Sequence, residues 1–376
     1  MDIMTRTLIV STCGTSILTN QSNTDLRALL TQTTNHKEEA LPSEQQTAID
    51  HRVEEQKVRL LGESLSNVRS LSAELNGVIG FYDGQLDRGR SDRHILIHTD
   101  TYQGAAAADV IREWMQTKGL TATCERVPEL STASLEAFQM GMNHLVSWCD
   151  NTVPGYRKSG FHVAFNLVGG FKSIQGFMQT LGMFYSDEIL YIFESGNQLL
   201  RIPRLPIEID RAAQEAIRSN LIIIRKLDLG CHAIQAGECD SVPETFLYKF
   251  GDQVDLSPWG RLVWKKHKPT IYGEALLDSL SNRLRFSDAV VQAVRRLPPE
   301  RIEMFNERMD DLARYIDGGL QNCPKRLDFK QLKGNPCPPS THECDLWADA
   351  DTQRAFGRFD GPVLIVDRIG PALHKG

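Results

Sequence analysis

Three groups of residues in this 376-residue chain combine types and spacing suited to phosphate chemistry. The first is Ser11-Thr12-Cys13-Gly14-Thr15-Ser16, where small side chains, hydroxyls and a glycine let backbone N–H groups and Oγ atoms approach an anion. The second is Asn166-Leu167-Val168-Gly169-Gly170-Phe171-Lys172-Ser173, in which a Gly-Gly turn ahead of a helical pattern exposes N–H donors and Lys172 adds positive charge. Together these two suit a phosphodiester. The third lies near the C-terminus: Lys325, Arg326, Lys330 and Lys333 cluster against one acid, Asp328, and Arg354, Arg358, Arg368 and His374 follow. Metal-free RNA cleavage proceeds by attack of a 2′-OH on the adjacent phosphate. It needs cations on the developing phosphorane and groups that move protons, and Lys, Arg and one His suffice for both.

Other chemistries are disfavoured. No Gly-Lys-Ser follows a glycine at Walker A spacing and no Gly-x-Gly-x-x-Gly is present, which argues against ATP hydrolysis and NAD binding. The eight cysteines include no Cys-x-x-Cys pair, as expected of reduced thiols. Cys323, Cys337, His342 and Cys344 match no zinc spacing, so neither a metal nor a cofactor is expected. The 42 basic and 48 acidic residues leave a net charge of −6, so any anion must be held by local donors rather than a long-range field. The longest apolar runs are far too short to span a bilayer and the N-terminus does not read as a signal peptide, so a cytoplasmic protein is expected.

To position these residues the chain must alternate strands and helices. Thr7–Ser11, His94–His98, His162–Val168 and Ile189–Phe193 read as strands, and residues 54–75, 105–118, 134–149 and 173–185 as helices. The pattern is that of a doubly wound α/β domain, with ligands expected beyond the carboxyl ends of its strands. The Gln-, Asn- and Thr-rich residues 19–47 read as a helix-poor insertion, and residues 201–270 as the end of that domain plus a connector. Beyond it, residues 273–296 and 299–317 read as two helices. The second is marked by Pro298-Pro299 at its start, Ile302, Phe305, Met309, Leu312 and Ile316 at helical spacing, and Gly318-Gly319 at its end. Strand-like pieces follow, the last at 363–369, so residues 271–376 form a separate small α+β unit.

The motifs STCGTSILT and FNLVGGFKSIQGF closely resemble the two signature motifs of CARF domains, the Rossmann-like sensors of cyclic oligoadenylates in type III CRISPR systems. The resemblance covers about residues 1–200. It implies a homodimer that binds one cyclic ligand, most simply the tetra-adenylate, across its two-fold axis. Ser11, Thr12, Cys13, Gly14, Thr15, Ser16, Asn166, Gly169, Gly170, Phe171, Lys172 and Ser173 would form the pocket, with Thr99 of the HTDTYQ segment as a further candidate. The C-terminal unit resembles, less closely, the RelE family of ribonucleases that cut mRNA in the ribosomal A site, through two helices followed by LDFKQLKGN, STHECDL, RAFGRFD and VLIVDRIGPALH. That resemblance implies that Lys330 and Lys333 hold the scissile phosphate or ribosomal RNA, that Arg354 and Arg368, with Arg358 beside them, serve the transition state, and that His374 is the acid or base. Many RelE proteins have Tyr at that last place, and no Tyr follows Tyr315 here.

The expected protein is therefore a ligand-activated endoribonuclease that cuts mRNA on ribosomes and acts poorly on free RNA. Its main rival is a HEPN ribonuclease, recognised by Arg followed at short spacing by His. Arg368 to His374 fits that spacing, but so do Arg261 to His267, Arg225 to His232, Arg157 to His162 and Arg93 to His98. Gly370-Pro371 inside the first of these argues against the helix a HEPN site needs. A non-catalytic, ligand-controlled regulator is a third reading, against which stands the lack of a strongly basic recognition helix.

Overall fold

The computed structural model describes residues 6–373 except 171, 194–197, 231–233, 235, 252, 335 and 350. The chain divides between Glu208 and Ile209 into two compact units. Among the described residues no helix is long and apolar enough to cross a membrane.

The first unit is built on a six-stranded sheet: β1 (Thr7–Thr12), β2 (Arg93–His98), β3 (Ala122–Arg126), β4 (His162–Asn166), β5 (Glu188–Ile192) and β6 (Leu199–Pro203). The spatial order is β3-β2-β1-β4-β5-β6. All neighbours run parallel except β5 and β6. β1 is buried along its whole length, which is why Leu8-Ile9-Val10 is a continuous apolar run and not an alternating one. Strand order reverses between β1 and β4, where Thr7–Ser11 pairs with His162–Asn166. The segments that leave these two strands are therefore neighbours at the carboxyl edge of the sheet, the usual ligand position in such folds.

Several elements differ from the sequence reading for local reasons. Residues 19–47 are not helix-poor: Asn23 caps a helix over Thr24–Gln32 by accepting the Leu26 N–H at 2.8 Å, and Leu30 buries its side chain. A Gln- and Thr-rich composition hid that one-sided apolar stripe. The helix expected over 54–75 is three helices, Ser43–Gly62, Leu65–Leu71 and Ala73–Phe81. The breaks fall at Ser64 and Ser72, whose hydroxyls cap the helices that follow them. The edge strands β3 and β6 carried too little apolar signal to be noticed in the sequence.

The second unit begins with helices over Arg211–Ser219 and Leu221–Asp228, a ribbon of β7 (Leu247–Phe250) and β8 (Gln253–Leu256), and a helix over Pro258–Glu274. These residues, read from the sequence as a connector, have a core of their own that includes Ile217, Ile224, Leu256, Trp264 and Tyr272. Ser257 caps the last helix and Pro258 occupies its first turn, where a missing N–H leaves no intrahelical bond unmade. The helix expected over 273–296 is replaced by the end of that helix, β9 (Leu284–Phe286), and a short helix over Asp288–Val294 capped by Ser287.

The helix over Pro299–Asp317 forms as its spacing predicts, with Ile302, Phe305, Met309, Leu312 and Ile316 all buried. It packs on a sheet of β9, β10 (Lys330–Gln331), β11 (His342–Trp347), β12 (Gln353–Asp360) and β13 (Val363–Pro371), in the order β10-β11-β12-β13-β9. The pairs are antiparallel except β13 with β9. One buried ion pair ties the preceding helices to this part: Arg225 meets Asp310 at 2.5 Å, both side chains almost fully buried, while Tyr272 donates its hydroxyl hydrogen to the same carboxylate. Burial and the Asp310 charge push the Tyr272 phenol far up, so it remains a donor. Removing one partner strands a charge in a dry site. Arg225→Ala should therefore lower the stability of the second unit by about 3–5 kcal/mol, read as a shifted denaturant midpoint in the full chain.

Candidate functional site

The two glycine-bearing segments meet at the β1–β4 switch point, and a residue absent from the sequence reading lies between them. Glu74, in the first turn of the Ala73–Phe81 helix, is completely buried. Its Oε1 accepts the Gly14 N–H at 2.8 Å, and its Oε2 accepts the hydroxyls of Ser16 at 3.1 Å and Ser72 at 2.7 Å. Its backbone carbonyl accepts the Asn166 amide at 3.0 Å, and that amide also donates to Ser11 Oγ at 3.1 Å. Thr12 donates to the Gly169 carbonyl at 2.7 Å, joining the loops directly.

The Gly-Gly turn has a packing reason. A Cβ on Gly169 would lie 2.3 Å from Glu74 Oε1. Gly170 has φ +105°, and a Cβ there would lie 2.7 Å from Thr12 Oγ1. On the far side, a Cβ on Gly77 would lie 2.1 Å from Asn166 Oδ1, so the Ala73–Phe81 helix also needs glycine where it meets β4.

Exposure sorts the expected site residues. Ser11, Thr12, Cys13, Gly14, Asn166 and Gly169 are buried; Thr15, Ser16 and Gly170 are half-buried; Lys172 and Ser173 are exposed at the start of the Lys172–Tyr185 helix. Phe171 lies outside the described residues. Burial, with the Glu74 charge next, pushes the Cys13 thiol well up, so it stays neutral. Thr99 is buried too, its hydroxyl 2.9 Å from that of Thr101, the cap of the Tyr102–Thr117 helix. Both lie in the segment that follows β2.

In the second unit the sheet brings several of the predicted cations together. Arg354 on β12 donates to Glu343 Oε1 on β11 at 2.6 Å, and its Nε lies 2.9 Å from Asp345. Lys330 pairs with Asp328 and reaches within 3.9 Å of Glu343. Arg358 pairs with Asp367, which also accepts the Ser340 hydroxyl at 3.0 Å. The Arg368 guanidinium lies 5.0 Å over the Phe356 ring and Lys333 is exposed. His374 lies outside the described residues.

The acids on β11 and β13 were missed because they face these cations only across strands. Glu343 is the most telling: it is nearly buried, and its Oε2 has no hydrogen-bond partner among the described residues. By contrast His342 is stacked on Phe329 at 5.3 Å and edge-on to Phe359, and burial holds its ring below the usual imidazole range. Neighbouring Cys344 is buried and its thiol is pushed up to about 12. No group of three or more His, Cys, Asp or Glu among the described residues is arranged to hold a metal. Arg368 lies on β13, so its spacing to His374 is not carried by a helix.

Residues 69–205 match the model of a family described as CRISPR-associated protein (Cas_APE2256). The first unit thus carries a CRISPR-associated sequence pattern. The matched stretch holds Glu74, the Gly169-Gly170 loop and β2 to β6, and leaves out the Ser11–Ser16 loop. No curated protein matches the chain.

Glu74→Ala would leave the Gly14 N–H, which the carboxylate now satisfies, buried without an acceptor. It should cost the first unit about 2–4 kcal/mol, whereas Lys172→Ala, at an exposed position, should change stability by no more than about 0.5 kcal/mol. Thermal or denaturant unfolding of the two variants checks the contrast.

Proposed function

We propose that the chain is a CRISPR effector switched on by a cyclic oligoadenylate bound at the β1–β4 switch point, most simply the tetra-adenylate. Its second unit is a metal-independent, RelE-like endoribonuclease that cuts mRNA on the ribosome. The observation that carries the sensor reading is the meeting of the two motif loops where strand order reverses, in a unit whose residues 69–205 match a CRISPR-associated family. A ring of repeating nucleotides is matched by a symmetric cleft, so the sensor acts as a homodimer with the two switch points facing one ligand.

The nuclease reading is supported by two helices followed by the strands β10–β13, the order the RelE resemblance implies, and by Lys330, Arg354, Arg358 and Arg368 on that one sheet. In the reaction the 2′-oxygen attacks the adjacent phosphorus as its proton leaves to the His374 imidazole. The bond to the 5′-oxygen breaks, giving a 2′,3′-cyclic phosphate and, once that oxygen is protonated, a 5′-hydroxyl. Arg354 and Arg368 balance charge on the phosphorane. The imidazolium so formed supplies the proton to the leaving group. Ligand controls this step only to the extent that it binds one arrangement of the dimer more tightly than another.

Ribosome footprints and mRNA ends, mapped with and without cyclic tetra-adenylate, test the whole reading: ligand-dependent cuts should appear within ribosome-protected mRNA. Equal cutting of free RNA would end the ribosome-dependent reading. His374→Ala should lower cleavage by about 10²–10⁴-fold with ligand affinity unchanged, and Lys172→Ala should weaken ligand binding.

A further inference from the structure

Four donors of the Ser11–Ser16 loop are spent inside the protein. The Cys13 N–H goes to the Ile97 carbonyl at 2.8 Å, the Thr12 hydroxyl hydrogen to the Gly169 carbonyl at 2.7 Å, and the Gly14 N–H and Ser16 hydroxyl hydrogen to Glu74 at 2.8 and 3.1 Å. A hydroxyl has one hydrogen to give and two lone pairs to offer. Because the partner of Ser16 is an acceptor-only carboxylate, the direction of that bond is fixed. Ser16, half-buried at the rim, is left with lone pairs to present outward, above a buried negative charge. Both features are wrong for a phosphate and right for a donor. The second loop is opposite in character: Lys172 and Ser173 are exposed at a helix N-terminus, where a positive side chain and the helix end both favour an anion.

We propose that the two loops divide the ligand between them. Phosphates sit at the Lys172 side, and Ser16 Oγ, oriented by Glu74, accepts a hydrogen bond from a donor on the nucleotide, either a ribose 2′-OH or the adenine amino group. Glu74 is thus a positioning residue that makes Ser16 Oγ a hydrogen-bond acceptor. This assignment rests on the sensor reading given above and deepens it by saying which part of the ligand each loop recognises.

Binding of cyclic tetra-adenylate is compared with that of two analogues: the 2′-fluoro ring, which lacks the ribose donor, and the ring of unsubstituted purine, which lacks the amino group. The native protein should disfavour one analogue by tenfold or more, and which one identifies the donor. In Ser16→Ala and in Glu74→Gln that preference should fall to about unity, while Lys172→Ala should weaken the parent ring and both analogues alike. Ser16→Ala keeps the test decisive if Glu74→Gln fails to fold. Equal native affinity for all three rings, or a preference that survives Ser16→Ala, overturns the division of the ligand and leaves the sensor reading standing. Binding of none of the rings by the native protein overturns both.

Discussion

The buried carboxylate of Glu74 is the contact on which the first unit's edge depends. Without a guanidinium or ammonium in hydrogen-bond contact among the described residues, it is stabilised by one N–H and two hydroxyl hydrogens, and those three come from two separate segments. Such a group tolerates burial only while its donors stay in place. The arrangement therefore acts in both directions: the carboxylate fixes the loop after β1, and the loop holds the carboxylate against the glycines after β4. The requirement for Gly169 and Gly170 follows from that packing, since any side chain there would strike Glu74 or Thr12.

The second unit manages charge differently. Its candidate cations are neutralised pairwise by acids across strands, Arg354 by Glu343 and Asp345, Arg358 by Asp367, Lys330 by Asp328. A sheet so balanced exerts little long-range pull on RNA, in keeping with the −6 charge of the whole chain. Under the function proposed above the ribosome delivers the mRNA, so short-range geometry and not attraction limits the reaction. The Arg225–Asp310–Tyr272 cluster performs the structural counterpart, linking the helices of residues 211–274 to the Pro299–Asp317 helix through one fully enclosed charge pair.

Much of this was legible in the residues. The strands Thr7–Ser11 and His94–His98 are parallel-sheet interiors whose apolar runs announce themselves, and the Pro299–Asp317 helix carries a stop, a start and an unbroken apolar stripe. Both loops were recognisable because small residues and glycines after a buried strand are a local pattern. What escaped were features set by caps and by distant partners. Ser64, Ser72, Ser257 and Ser287 break or begin helices through one hydroxyl each, a signal easily lost among the chain's 23 serines.

Types and spacing within this sequence determine an α/β unit followed by an α+β unit, and mark two small-residue loops after strands of the first. Tertiary structure alone decides what those loops offer. Glu74 is sixty residues from Gly14 in sequence, and Glu343 eleven from Arg354, yet each forms the bond that defines its partner's chemistry. A donor exposed in sequence is a donor in function only if no acceptor elsewhere in the chain has already claimed its hydrogen, and that is settled by folding.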